Sequence, residues 1–144
     1  MRFVASTNPG MEMGAIDKIA SGGELARFLL ALKLVLARNE SPKTLIFDEV
    51  DSGVGGAVAA AVGKRLARLG DQTQTLVITH SPQVAGKGKH HLKIAKQASS
   101  QTIISDTFIL DDSARIEEVA RMLSGDEITN EARAAALNLL ELAR

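Results

Sequence analysis

The sequence contains no cysteine, tryptophan or tyrosine, and its aromatic residues are four phenylalanines among 144 positions. Without cysteine there is neither a disulfide framework nor a cysteine-ligated metal site. The shortage of aromatic residues argues against a stacking platform for single-stranded nucleic acid. The 17 basic and 17 acidic residues balance, so no overall positive field draws the chain toward nucleic acid.

Long apolar runs are absent as well. No segment approaches the length of a membrane span, and the first ten residues, MRFVASTNPG, lack the apolar core of a signal peptide. We therefore expect no membrane segment and a cytoplasmic protein. With 45% hydrophobic and 24% charged residues, residues 1–144 have the composition of one ordinary globular domain that can bury its own core.

Hydrophobic periodicity predicts alternating helices and strands in the first half of the chain. The first helix is predicted from Gly22 to Arg38. The apolar runs Lys43–Phe47 and Gln74–Thr79 are typical of strands buried on both faces, and a helix at Ala57–Gly70 separates them. The order strand, helix, strand predicts a right-handed βαβ unit with parallel strands.

The flanking segments have a different pattern. They predict a short strand at Arg2–Thr7, an irregular lead-in at 11–20, an antiparallel pair at His90–Gln97 and Gln101–Leu110, and helices at Ala114–Leu123 and Thr129–Ala143. Gly125 suits the end of the first of these two helices. A basic cluster consists of Lys87, Lys89, His90, His91, Lys93 and Lys96. We expect it to be a solvated face of the hairpin, with contact to a phosphate backbone as the alternative.

The segment SGGE (Ser21–Glu24) precedes the first helix and is compatible with two interpretations. Ser21 and Glu24 have the spacing of a capping box, which would simply start the helix. Gly22 and Gly23 lack side chains and would leave the first N–H groups open to a ligand. Because a helix N-terminus carries partial positive charge, that ligand would be an anion such as phosphate.

Polar residues follow both predicted parallel strands. Asp48 and Glu49 end one apolar run, and Thr79 and His80 end the next. Ligands of open α/β sheets bind at the carboxyl ends of the strands, where a carboxylate can hold Mg²⁺ with phosphates and a neighbouring carboxylate can deprotonate water. His80 alone would fit a structural histidine, but together with SGGE these residues indicate a phosphate-transfer site.

SGGE, TLIFDEVDSGVGG and LVITHSPQVA, in this order, resemble the signature motif, the Walker B motif with its D-loop, and the H-loop of an ABC-type ATPase. STNPG, ASGGELAR, FDEVDSGVGG, THSPQVA and EEVARMLSG further resemble the C-terminal part of the RecN family of SMC-like bacterial DNA repair proteins. The resemblance spans nearly the whole chain. It implies an α/β fold, the C-terminal lobe of an ABC-type (P-loop NTPase) head, in which a parallel βαβ core carries a C-terminal β-hairpin and two helices.

The resemblance also implies a role for each motif. The residues that would bind the γ-phosphate of a nucleotide held by an opposing head are Ser21, Gly22, Gly23 and Glu24. Asp48 would hold Mg²⁺, Glu49 would be the general base for the attacking water, and His80 would contact the γ-phosphate. The D-loop residues along the dimer seam would be Asp51, Ser52 and Gly53, continuing to Gly55.

The sequence departs from the ABC pattern at several points. Ala20 stands where many signature motifs carry Leu, Glu24 where they carry Gln, and Gly55 where many D-loops end in Asp. No G-x-x-x-x-G-K-[ST] segment occurs, and no Q-loop stands out. In the RecN family the Walker A segment lies at the other end of a long polypeptide, beyond a coiled coil.

We therefore expect one lobe of a split head. It would hydrolyse ATP with Mg²⁺ only after joining an N-terminal Walker A lobe and a second head in a homodimer, and the isolated chain is predicted to be inactive. Double-stranded DNA would be met at the nucleoid, through the full-length protein. The alternatives are a head fragment of another SMC-type or RecF-like ATPase, a non-catalytic dimerisation module, and a response-regulator-like or phosphatase-like domain with Asp48 as nucleophile.

Overall fold

The computed structural model describes residues 4–6, 9–10, 12–16, 20, 24–25, 27–28, 30–32, 44–98, 103–125 and 127–141. The strands are β1 (Val4–Ala5), β2 (Gly14–Ala15), β3 (Thr44–Asp48), β4 (Gln74–Ile78), β5 (His91–Ala98) and β6 (Ile103–Leu110). The helices are α1 (Gly56–Gly70), α2 (Pro82–Ala85), α3 (Asp112–Ser124) and α4 (Asn130–Glu141). The described residues between 24 and 32 are helical too, within the helix predicted at Gly22–Arg38. The rest of that helix lies outside the described residues.

The parallel pairing of β3 with β4 confirms the strand order predicted from the sequence. Ile46 pairs with Leu76, and the register continues to the carboxyl ends of both strands. A second, very short sheet pairs β1 with β2 in antiparallel fashion. The prediction that residues 11–20 are irregular is therefore wrong at β2, because a two-residue pairing leaves no hydrophobic period to recognise.

Within the described part of the chain, the sheet of β3 and β4 is covered on one face only. Phe47 is 3% exposed, and Leu45 and Val77 pack against the same core. On the opposite face Ile46 is 59% exposed and Leu76 41%. The prediction that both strands are buried on both faces is therefore wrong for the described part of the chain. A run of consecutive apolar residues indicates two covered faces, and no described element covers the second one.

Helix α1 covers the packed face of this sheet. Its buried residues, at helical spacing, are Ala59, Val62, Gly63, Leu66 and Leu69, and they pack with Leu30, Val50 and Val84. A Cβ atom on Gly63 would lie 3.1 Å from the Gln83 carbonyl oxygen and 3.2 Å from Val84 Cα. Glycine at this position thus allows α2 to pack closely against α1.

The C-terminal part consists of the hairpin and two helices, as predicted. Strands β5 and β6 pair antiparallel, with His91 opposite Leu110. Helices α3 and α4 bury a small cluster of Val119, Ala120, Ala132 and Ala136. Gly125 ends α3 with φ +79° and donates its N–H to the Arg121 carbonyl at 2.8 Å, which confirms the predicted helix end.

Candidate functional site

The loop after β3 begins with a backbone conformation that is unusual for its residue. Glu49 has φ +46°, the only positive φ among the described residues other than glycine. Its N–H donates to the Ile78 carbonyl at 3.0 Å, and its carbonyl accepts from the Ser52 N–H at 2.9 Å. A left-handed conformation is unfavourable for a residue with a side chain and persists where surrounding contacts hold it, often at functional sites.

Glu49 and His80 lie together at the carboxyl ends of β3 and β4. His80 Nδ1 is 3.8 Å from Glu49 Oε1, and their side chains are 72% and 59% exposed. A contact this long and this exposed adds little to stability, and both groups are open to a ligand. Asp48, the last residue of β3, is exposed beside them.

Asp51 differs from these residues because it is 1% exposed. Its Oδ2 accepts a short hydrogen bond from the Thr79 hydroxyl. The Thr79 oxygen in turn accepts from the Ser81 N–H at 2.9 Å. Asp51 Oδ1 is buried without a hydrogen-bond partner. These contacts join the loop after Glu49 to the residues on both sides of His80.

Part of the predicted site lies outside the described residues, namely Ser21, Gly22 and Gly23 of the signature motif; Glu24 is described and helical. In the D-loop, Ser52 is half-buried and Gly53 is exposed with φ +73°. The dimer-seam role of Asp51, Ser52 and Gly53 stays a prediction. Asp51 is buried by contacts with other described residues, among them Thr79.

The donor set fits Mg²⁺ bound together with phosphates. Among the described residues, no group of three or more Asp, Glu, His or Cys side chains is arranged to hold a metal ion by itself. Mg²⁺ typically takes one or two carboxylates and fills its other positions with water and phosphate oxygens. Exposed Asp48 and Glu49 at the sheet edge match that chemistry.

The basic cluster is only partly solvated. Lys87 Nζ donates to the Leu139 carbonyl (3.3 Å), Lys89 pairs with Asp71 (2.8 Å), Lys93 pairs with Glu118 (2.5 Å), and His91 Nε2 contacts the Ala85 carbonyl (2.8 Å). Burial raises the pKa of Glu118, but hydrogen bonds from Arg121 and Lys93 outweigh it and hold that pKa below its ordinary value. Lys89, His90 and Lys96 are exposed, as expected of the whole cluster. The other side chains chiefly connect the hairpin and the loop before it to neighbouring elements, which leaves few cations for a phosphate backbone.

The sequence alone does not reveal the partnership of Asp51 with Thr79. An acidic residue in a Gly-rich loop is usually exposed, and a threonine at the end of a strand is common. The one available signal is the pattern itself: each apolar strand is followed by polar residues, and parallel register brings those residues together.

Solved structures with a similar fold support the predicted fold class. One similar solved structure is the Smc head domain of Pyrococcus yayanosii with a coiled coil and joint. Its TM-score is 0.63 at 20% sequence identity, and the match covers 80% of this chain and 21% of that chain. Another comes from structural work on ATP-driven dimerization and DNA-stimulated activation of SMC ATPases. Its TM-score is 0.59 at 18% sequence identity, and the match covers 82% of this chain and 70% of that chain. The α/β fold is therefore that of an SMC-type ATPase head, which confirms the predicted fold class.

Sequence similarity is much higher to one group of curated proteins. The chain is 51% identical over 140 residues to DNA repair protein RecN of Rickettsia felis, which covers 97% of this chain and 26% of the relative. It is 48% identical to RecN of Vibrio cholerae and 47% identical to RecN of Xylella fastidiosa strain Temecula1, with 96% of this chain and 25% of each relative covered. The resemblance to RecN is thus confirmed, and the chain spans about a quarter of the length of these relatives.

No protein-family model matches the chain. In the part of the chain that the structure describes, every helix is too short or too polar to cross a membrane.

Proposed function

We infer that the chain is the C-terminal lobe of the ATPase head of a RecN-like protein that acts in DNA double-strand break repair and recombination. The observation that carries this inference is the meeting of Glu49 and His80 at the carboxyl ends of two parallel strands. Identity of about 50% to RecN proteins, against about 20% to SMC heads, favours a RecN-like head over another SMC-type or RecF-like one.

Glu49 is the general base in this proposal. Its carboxylate is exposed at the edge of the sheet, where it can accept a proton from the water that attacks the γ-phosphate. His80 presents Nδ1 to Glu49 at 3.8 Å, so Nε2 is the ring nitrogen left for a γ-phosphate oxygen, to which it donates in the tautomer that carries the proton on Nε2. Carboxylate and imidazole thus serve two different atoms of the same reaction centre.

Asp48 is the residue proposed to hold Mg²⁺, directly or through water. When bound, the ion would neutralise charge on the phosphates of ATP. Asp48 and Glu49 carry like charges on adjacent residues, so ATP binding also requires cationic groups that the described residues do not place beside them. A Walker A lysine and its loop of backbone N–H groups would supply them.

The open face of the β3–β4 sheet supports a partner lobe. Ile46, Leu76 and Ile78 are large apolar side chains that face away from the core. A two-stranded sheet with one apolar face uncovered is marginal by itself. An N-terminal Walker A lobe, supplied by the longer polypeptide that the relatives' length implies, is the proposed cover.

A second head is the other proposed partner. Ser21, Gly22 and Gly23 would reach the γ-phosphate of a nucleotide held by the opposing head in a homodimer, with Ser52 and Gly53 along the seam. The isolated chain would then neither bind nor hydrolyse ATP. Double-stranded DNA would be engaged by the assembled full-length protein at the nucleoid.

Replacing Glu49 with Gln in the full-length protein tests the assignment. The amide keeps the shape of the side chain but cannot accept the proton. Hydrolysis should fall about 10²- to 10⁴-fold, whereas ATP binding changes by less than about threefold, and ATP-engaged head dimers should accumulate.

Glu127→Gln is the matched control, because Glu127 is an exposed carboxylate in the connection between α3 and α4. Its hydrolysis rate should equal that of the wild type. Near-normal turnover by Glu49→Gln would remove Glu49 as the base, and a wild-type protein that dimerises without any turnover would favour the non-catalytic dimerisation module.

A further inference from the structure

Asp51 is a buried acidic residue that the proposed chemistry does not use. It is 1% exposed, between the buried Val50 and the half-buried Ser52. Burying a carboxylate is costly unless it is hydrogen-bonded, yet only Oδ2 has a partner, and that partner is Thr79. A buried carboxyl group held by one hydroxyl at the edge of a candidate site calls for a role beyond packing.

The Thr79 hydroxyl both donates and accepts a hydrogen bond in this arrangement. It donates its single proton to Asp51 and accepts the N–H of Ser81. Thr79 and Ser81 are the two neighbours of His80 along the chain, so the backbone on both sides of the imidazole is tied to one carboxylate.

The same carboxylate belongs to the turn that begins at Glu49. The Glu49 N–H is bonded to the Ile78 carbonyl, and the Glu49 carbonyl to the Ser52 N–H. Glu49 itself has a left-handed backbone, which is retained only where surrounding contacts impose it. Asp51 lies inside this turn and connects it to the Thr79 side of the neighbouring loop.

We propose that the Asp51–Thr79 hydrogen bond is a positioning device that sets the separation of Glu49 and His80, and hence the rate of hydrolysis rather than the affinity for nucleotide. This inference rests on the proposed function, in which Glu49 and His80 act on the same phosphate. Asp51 and Thr79 are positioning residues in this proposal, since Asp51 is 1% exposed and the Thr79 hydroxyl is bonded to Asp51 and Ser81.

The test uses the full-length protein with ATP and Mg²⁺ and measures kcat, the dissociation constant for ATP and the thermal midpoint. Thr79→Val removes the hydroxyl at nearly constant volume, and Thr79→Ser restores it. Thr79→Val should lower kcat about 10- to 100-fold, the scale of a misplaced reacting group, with the dissociation constant within about threefold. Thr79→Ser should return kcat to within about threefold of the wild type.

The double variant Asp51→Asn/Thr79→Val separates positioning from stability. It removes the Asp51 carboxyl group together with the Thr79 hydroxyl, so its thermal midpoint should be higher than that of Thr79→Val alone. Because the two residues act through one contact, its kcat should lie within about twofold of the Thr79→Val value. Recovery of kcat together with the thermal midpoint would make the contact merely structural and overturn the proposal. If Thr79→Val is insoluble, kcat and the thermal midpoint of the double variant are compared with those of Asp51→Asn, which provides the same test.

Two further outcomes overturn the proposal: unchanged kcat in a soluble Thr79→Val protein, and a parallel loss of kcat and ATP affinity. Glu49→Gln in the same assay separates this failure from failure of the proposed function. If Glu49→Gln is inactive and Thr79→Val is normal, only the positioning role is lost. If Glu49→Gln is normal, the catalytic assignment fails independently of Asp51.

Discussion

The described residues leave one face of the β3–β4 sheet exposed, and the exposed fraction of its side chains predicts how much free energy a docking lobe gains there. Ile46 and Leu76 are 59% and 41% exposed, so roughly half of each side chain can still be removed from water. Complete burial of such a side chain contributes about 1.5–3 kcal/mol. Docking of the Walker A lobe should therefore gain about 0.8–1.5 kcal/mol from each.

Ile46→Thr and Leu76→Thr remove most of that gain while keeping a residue that favours strands. Each should weaken binding of the separately produced N-terminal lobe about 4- to 12-fold, measured by calorimetric titration. The folding stability of this chain alone should change little, because the altered face is already in water.

Val58→Ser is the control, since Val58 is 50% exposed but lies on α1, away from the sheet. It should leave the affinity unchanged. If Ile46→Thr and Leu76→Thr also leave it unchanged, the Walker A lobe does not cover this face, and the reasoning from exposure is refuted.

Two further predictions concern the signature motif and acid stability. Ser21→Arg should block ATP-dependent head dimerisation while leaving nucleotide binding to separate heads intact; an equal loss of both would place Ser21 in its own head's site. Burial lowers the pKa of His91 below 6.5, and nearby Arg115 lowers it further. The hydrogen bond to the Ala85 carbonyl raises this pKa but does not outweigh burial. The folded chain thus binds fewer protons at His91 than the unfolded chain, so this stability is complete above pH 6.5 and is lost as pH falls from there toward the lowered pKa. Denaturant unfolding of this chain between pH 7.5 and 5.5 should show the loss and His91→Gln should reduce it; a flat profile in the unmutated chain would contradict the shift.

The order of the elements could be predicted because their signals are local. The apolar runs around Phe47 and Val77, and the helical spacing of Ala59, Val62 and Leu66, fix strand and helix types without reference to distant residues. Parallel strands then bring their carboxyl ends to one edge, so the proximity of Glu49 and His80 followed from the sequence as well.

The features that could not be predicted depend on contacts across the fold or outside it. The burial of Asp51 requires the loop after β3 to fold over Thr79, which no spacing in the sequence encodes. The exposure of Ile46 and Leu76 could not be read from their apolar run, because the run indicates cover that the described residues do not contain. The contact of Lys93 with the mostly buried Glu118 could not be predicted, because these two residues are distant in sequence.

The central claim is that these 144 residues are one lobe of a split ATPase head. Its most direct test is titration of the purified chain with a fluorescent ATP analogue and Mg²⁺, with and without the N-terminal Walker A lobe. Most of the affinity of such a site comes from the Walker A loop and its lysine. We predict no saturable binding by the chain alone and Mg²⁺-dependent binding once the lobe is added. Tight Mg²⁺-dependent binding by the chain alone would place the phosphate cradle within this sequence and contradict the split-head assignment.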